Sequence, residues 1–173
     1  MSAIFLVCKF DSSKLKPQLN YFKQHAKAEY FEDETALHIT LRKLRNDDSS
    51  IHDLTKLLDI YQQTYDCSPM KMYAKNFYKF DRNIYWIGLQ DSFSLYIVKH
   101  QLEELAMKYD ISLDKEDFSY TPHITLAFDA QVDSSFNTQF KPVPITVTSI
   151  QLLAYDHKIG NAHISSVMHE IIL

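Results

Sequence analysis

Two short stretches decide how this chain folds: Leu37-His38-Ile39-Thr40-Leu41 and Pro122-His123-Ile124-Thr125-Leu126. Each closes a unit of the same kind. In the first unit, Ile4-Phe5-Leu6-Val7 reads as a strand and Asp11-Ser12 as a helix start. Leu15, Leu19 and Phe22 follow at helical spacing, with Pro17 tolerated in the first turn. In the second unit, Ile84-Tyr85-Trp86-Ile87 is the strand and Asp91-Ser92 the helix start. Leu95, Val98, Leu102, Leu105 and Ala106 form the inward face of that helix. The repeat predicts two strand-helix-strand units related by a pseudo-twofold axis, an α+β arrangement whose helices cover the sheets.

Residues two apart on a strand project to one face. His38 therefore projects with Thr40, and His123 with Thr125. Ile39, Leu41, Ile124 and Leu126 point the other way, into the core. If the two strands lie side by side about the twofold, two imidazoles and two hydroxyls meet in one cleft. Imidazoles exchange protons near pH 7, and hydroxyls can hold phosphoryl oxygens. Two such rings on opposite sides of a phosphorus make a general base and a general acid.

The rest of the chain supports one domain spanning residues 1–173, with two pseudo-symmetric lobes. Ile51, Leu54, Leu57, Leu58 and Tyr61 predict a helix, after a turn over 46–50. Strands are expected over Met70–Phe80, Phe118–Phe128, Val143–Tyr155 and Ala162–Ile172. Lys71, Lys75 and Lys79 share one strand face by parity and read as a solvated stripe. With two glycines in 173 residues there is no phosphate-cradling Gly-rich loop. A net charge of −4 argues against a strongly basic duplex-DNA binder. Cys8 and Cys67 give neither a disulfide framework nor a C-x-x-C pair. The apolar N-terminal run is too short for a signal segment or a membrane span. A cytoplasmic monomer that does not engage membranes is expected.

His25, His52 and His100 fall on predicted helices and are expected to be solvated. His157, His163 and His169 are expected on the surface or in the closing hairpin. No neighbouring ligand completes a zinc set around His38 or His123, so neither metal nor any other cofactor is expected. No Lys-x-Asp-Gly nucleotidyl-lysine motif is present, which argues against an ATP-dependent ligase.

The doubled His-x-Thr on a duplicated strand-helix-strand resembles the 2H phosphoesterase superfamily, close to its bacterial 2′-5′ RNA ligase (LigT-like) branch. The tracts Asn83 to Leu89, Phe118 to Leu126, and Leu152-Leu153-Ala154-Tyr155 with the Gly160 turn carry the resemblance, which spans nearly the whole chain. It implies a bilobal fold, with a central groove between two antiparallel sheets flanked by helices. It also implies hydrolysis of 2′,3′-cyclic phosphates, 2′-5′ linkages or related phosphodiesters, with 2′-5′ resealing in some members. Relatives often carry a basic residue where this chain has Ala127-Phe128, and an aromatic where it has Lys43. A basic phosphate contact is therefore expected to have moved to Arg42, Lys43 or Arg82, with Phe128 and Tyr85 as further candidate substrate contacts.

The expected function is a metal-independent 2′,3′-cyclic phosphodiesterase acting on an RNA end, a cyclic nucleotide or a short oligonucleotide. His38, Thr40, His123 and Thr125 are its expected catalytic residues. The working assignment takes His123 as base and His38 as acid, although the symmetry of the motifs does not fix which is which. Two alternatives are a phosphodiesterase of 2′-5′ oligoadenylate or cyclic oligonucleotide signals, and a non-catalytic module that holds RNA ends.

Overall fold

The computed structural model describes residues 3–44, 50–113, 119–156 and 164–173. The expected turn over 46–49, the Gly160 turn, His157 and His163 lie outside these residues. The chain opens with β1 (Ala3–Phe10), where alternation sends Leu6, Cys8 and Phe10 into the main core. Phe5 and Val7 face the other way, against Leu153 and Tyr155. After α1 (Lys16–His25) come two short strands, β2 (Ala26–Lys27) and β3 (Tyr30–Phe31), that the sequence pattern does not announce. Then follow β4 (Ile39–Leu44) and α2 (Ile51–Thr64). The Ser50 hydroxyl caps α2 by accepting from the Asp53 amide at 3.2 Å.

The second half runs β5 (Met70–Phe80), β6 (Ile84–Gln90), α3 (Phe93–Lys108), β7 (His123–Phe128), β8 (Gln131–Val132), β9 (Val143–Asp156) and β10 (Ile164–Ile172). β7 starts later than expected, directly after Pro122, which has no N–H to give to a ladder.

The fold is α+β with a large antiparallel sheet and a small one. Among the described residues the two expected sheets are joined into one of eight strands, while β2 and β8 form the small pair. β9 makes one of the joins. Its Val143–Val147 segment pairs with β5, and its later residues pair with β1 on the opposite edge. The other join is the single pair Ile39 to Ile124, between β4 and β7. The pairing path β1-β4-β7-β6-β5-β9 thereby returns to β1.

The helices tie the two lobes further, because each packs behind the other unit's strands. Phe22 of α1 lies 5.8 Å from Phe77 of β5 and 5.5 Å from Tyr85 of β6, ring to ring. Glu103 of α3 accepts from Arg42 of β4 at 2.8 Å. Such an exchange makes one main core out of two repeats, and buried side chains of both helices and both motifs fall in a single cluster.

Ile39 and Ile124 are fully buried at the junction. Ile39→Ala and Ile124→Ala are each expected to cost about 2–5 kcal/mol by denaturant unfolding. Because the two side chains share one contact, the double variant should cost less than the sum. A strictly additive result would show that the two residues do not form one joint.

Candidate active site

Ile39 opposite Ile124 in an antiparallel pair puts a local twofold through the middle of both motifs. His38 and Thr40 flank Ile39, and His123 and Thr125 flank Ile124. In this register His38 stands across from Thr125, and Thr40 across from His123. All four are half-buried, whereas Ile39 and Ile124 are sealed in the core behind them.

Each motif ends in the same irregularity. Val7 pairs with Thr40 while Leu6 pairs with Arg42, so Leu41 is an extra residue in β4. Trp86 pairs with Thr125 while Tyr85 pairs with Ala127, so Leu126 is the extra residue in β7. A bulge reverses side-chain parity beyond it. Unbulged, Arg42 would follow His38 and Thr40 into the groove. Bulged, it turns to the helix side opposite buried Leu6, and Lys43 takes the groove face.

Both histidines are held alike. The Nδ1 of His38 lies 2.9 Å from the Ala36 carbonyl, and that of His123 lies 2.7 Å from the Thr121 carbonyl. A carbonyl can only accept, so each Nδ1 carries the proton and each Nε2 is the nitrogen left for chemistry. The loop before His38 is anchored from two sides. Lys9 donates to the Thr35 and Leu37 carbonyls at 3.0 and 2.7 Å, and the Ser12 hydroxyl donates to the Glu34 carbonyl at 3.0 Å. The Tyr120 hydroxyl donates to the Thr40 carbonyl at 3.0 Å, tying the approach to the second motif to the first.

The two rings have unlike surroundings. The Tyr155 hydroxyl lies 3.1 Å from His38 Nδ1 and 3.4 Å from Nε2, so it rests on the ring rather than on one lone pair. Burial lowers the His38 pKa to about 4, and the nearby charges of Lys9 and His123 push the same way. His123 is instead backed by aromatics. Phe80 and Trp86 meet it edge-on at 5.0 and 5.4 Å. Burial lowers its pKa too, against the opposing effect of the bond to the Thr121 carbonyl. Near Lys9 and Tyr155 sits Glu32, whose Oε2 is buried with no hydrogen-bond partner among the described residues. Burial and the neighbouring Asp33 raise its pKa to about 7, against the pull of Lys9.

The expected substrate contacts divide. Lys43 is exposed, with its ammonium 5.9 Å from the centre of the Phe5 ring. Phe128 is half-buried beside Tyr30, ring centres 6.3 Å apart. Arg42 lies outside the groove, 7% exposed and bound to Glu103. Tyr85 is a core residue, 8% exposed among Phe22 and Phe136. Arg82 occupies the exposed hairpin turn between β5 and β6, with φ 61°. The lysine stripe is broken as well. A bulge at Asn76, φ 64°, shifts the register so that Lys75 faces Gly88 while Lys79 faces core Tyr85.

Lys9, Glu32, Tyr155, Phe80 and Trp86 escaped the sequence reading as site residues. For Lys9, Phe80, Trp86 and Tyr155, parity on β1, β5, β6 and β9 was available, but which strands adjoin the motifs was not, and Glu32 lies just past the unannounced β3. His25 ends α1 half-buried, and its Nδ1 pairs with Asp133 at 2.9 Å. His169 pairs with Asp59 of α2 at 2.7 Å, and exposed His100 with Glu104 at 3.3 Å. Among the described residues, no group of three or more His, Cys, Asp or Glu side chains is gathered as a metal site. No helix among them is long and apolar enough to cross a membrane.

This chain belongs to the 2′-5′ RNA ligase superfamily, whose family model matches residues 12–159. Its fold is that of Escherichia coli LigT, solved in complex with 3′-AMP. The two share 16% identity with a TM-score of 0.77, over 99% of this chain and 98% of that one. A crystal structure described as a phosphoesterase matches at 16% identity and TM-score 0.72, over 100% and 99% of the two chains. A protein of Thermus thermophilus matches at 16% identity and TM-score 0.66, over 100% and 98%. No curated protein sequence matches.

Glu32 and His38 act on stability in opposite senses. Unfolded His38 titrates near 6.5 and folded His38 near about 4, so the unfolded chain holds the extra proton between them. Its contribution to stability therefore falls as pH falls from 6.5 to 4. Glu32 titrates near 4.5 unfolded and about 7 folded, so its contribution falls as pH rises across that range. Relative to the native chain, His38→Gln should gain stability on acidification from pH 6.5 to 4. Glu32→Gln should gain stability from pH 4.5 to 7. Thermal unfolding across that range reads both, and parallel curves for all three proteins would contradict these burial effects.

Proposed function

We propose that this chain is a metal-independent phosphodiesterase that opens 2′,3′-cyclic phosphate ends of RNA or nucleotides by two-histidine acid-base catalysis. The observation that carries the reading is the twofold-related pair of His-x-Thr segments, each with Nδ1 committed to a carbonyl two residues earlier. Family membership supports it. So does the chemistry of ligands captured by the similarly folded E. coli LigT, which has been crystallised with 3′-AMP, phosphate, ATP and NADP+.

The unlike surroundings of the rings favour the reverse of the working order. His38, held neutral down to about pH 4, is the base. His123, whose pKa burial lowers without the added push of Lys9, is the acid. His38 Nε2 takes a proton from water as the water oxygen bonds to phosphorus. The bond from phosphorus to one ribose oxygen breaks, and His123 Nε2–H delivers its proton to that oxygen. The hydroxyls of Thr40 and Thr125 donate to the non-bridging oxygens, where negative charge accumulates. Bringing the anionic phosphate between the rings favours the protonated form of the acid. Lys43 adds a positive charge at the groove face.

Turnover of 2′,3′-cyclic mononucleotides, 2′-5′ oligoadenylate and cyclic dinucleotides, with and without EDTA, tests the reading. Hydrolysis of the cyclic phosphates should survive the chelator. His38→Ala and His123→Ala should each lower kcat by at least about 10², with far less than a multiplicative loss in the double variant. The native pH profile should be bell-shaped. His38→Ala should lose its acid limb, and His123→Ala its alkaline limb. Since the two groups titrate as a pair, it is the limb lost that assigns each role. Near-native turnover in either variant would refute the mechanism.

A further inference from the structure

A cavity of about 370 Å³ opens beside His123 on the second lobe, and the mechanism above does not use it. Its walls come from β5, β6, the start of α3 and the approach to β7, and include Lys75, Tyr78, Trp86, Gly88, Gln90 and Thr121. It is walled in part by the residues that hold His123 in place. Thr121 supplies the carbonyl that holds His123 Nδ1, and Gly88 is the strand partner of His123.

Three features give it a chemical character. First, Trp86 is stacked between Phe80 and Tyr78, with ring centres 4.5 and 4.7 Å apart and planes within 20° and 23°. The stack ends at Tyr78, which is 44% exposed and borders the cavity. Second, Gly88 makes that placement possible. A Cβ there would lie 2.5 Å from Tyr78 Cε2 and 3.0 Å from the Lys75 carbonyl oxygen, so the tyrosine ring lies across bare backbone. Third, the bulge at Asn76 keeps Lys75 beside Gly88, with its side chain exposed at the cavity wall. An aromatic platform with a cation beside it, in a space larger than one base, suits a nucleotide: the base stacks and the phosphate meets the ammonium.

We infer that this cavity is a second nucleotide subsite, which takes the nucleotide adjoining the one that bears the cyclic phosphate. The base of that neighbour stacks on Tyr78, and its phosphate pairs with Lys75. The inference rests on the proposed chemistry in one respect: His123 as acid places the leaving ribose on this side of the groove, so the RNA chain continues toward the cavity. The subsite makes the chain a reader of RNA ends rather than of free cyclic mononucleotides.

The test compares 2′,3′-cyclic AMP with the dinucleotide ApA carrying a terminal 2′,3′-cyclic phosphate. The dinucleotide should be favoured in kcat/KM by about 5- to 150-fold, the range for one stacked base. Tyr78→Ala should remove most of that advantage and leave cyclic AMP turnover unchanged. Lys75→Gln, a change at an exposed side chain, should weaken the dinucleotide alone. It should also lower the slope of log affinity against log salt by about 0.7, the share of one phosphate contact. Binding is followed without turnover by titrating unreactive ApA and reading Trp86, the single tryptophan of the chain. ApA should alter its emission, with a weaker apparent affinity in both variants. Absence of turnover on every phosphodiester would refute the proposed function while the ApA titration still decides the subsite. Equal kcat/KM for the two substrates, or ApA binding unchanged in both variants, would overturn the subsite.

Discussion

The pairing of Ile39 with Ile124 is the contact on which the rest of the molecule depends. It is one pair in one ladder, yet it does three things. With β9, it joins the two repeats into one closed path of strands. It puts the local twofold through the centre of both motifs. By strand parity, it turns the flanking histidines and threonines away from the core as the isoleucines turn in. Burial of two apolar side chains thus sets the direction of four polar ones. The hydrophobic term fixes the joint, and the chemistry on the other face follows from the two-residue period of a strand.

Symmetry at the joint stops short of equivalence at the site. Both repeats carry the bulge after the threonine and the carbonyl clamp on Nδ1, so these belong to the shared backbone plan. The outer layer differs. The first motif is faced by Lys9, Glu32 and Tyr155, and the second by Phe80, Trp86 and the space made by Gly88. A strictly symmetric pair would offer two rings of equal basicity. The unlike neighbours make the two rings differ while the backbone keeps both in matching positions.

Much of this was legible in the residues. The two His-Ile-Thr-Leu copies, the apolar strands before them and the helix faces between them fixed the repeat, because each rests on short-range periodicity. The bulges were not legible. Leu41 and Leu126 are apolar and fit a core position in either parity, so nothing in the pattern marks the extra residue. Arg42 shows the consequence: alternation sends it to the groove, while the bulge sends it to Glu103. Tyr85 misleads for a related reason, since a tyrosine suits either face of a half-buried strand, and here the ring lies among Phe22 and Phe136. Glu32 and Tyr155 enter the site through pairings between strands far apart in the chain, and no local signal carries those.

The closed path of strand pairings also governs how copies of this protein meet one another. A strand that is paired on both edges cannot recruit a neighbour, and the circuit through β1, β4, β7, β6, β5 and β9 satisfies long stretches of edge internally. β10 lies outside the circuit, paired among the described residues to β9 alone, and it carries Val167, Met168 and Ile172 with more than 40% of each exposed. An open edge with apolar side chains is a template for intermolecular strand addition. The ladder between β9 and β10 shifts register between Val167 and His169, in the middle of that exposed stretch. Such a break interrupts the regular row of donors and acceptors that an incoming strand would need, so the fold guards its outer edge by irregularity where it cannot guard it by closure.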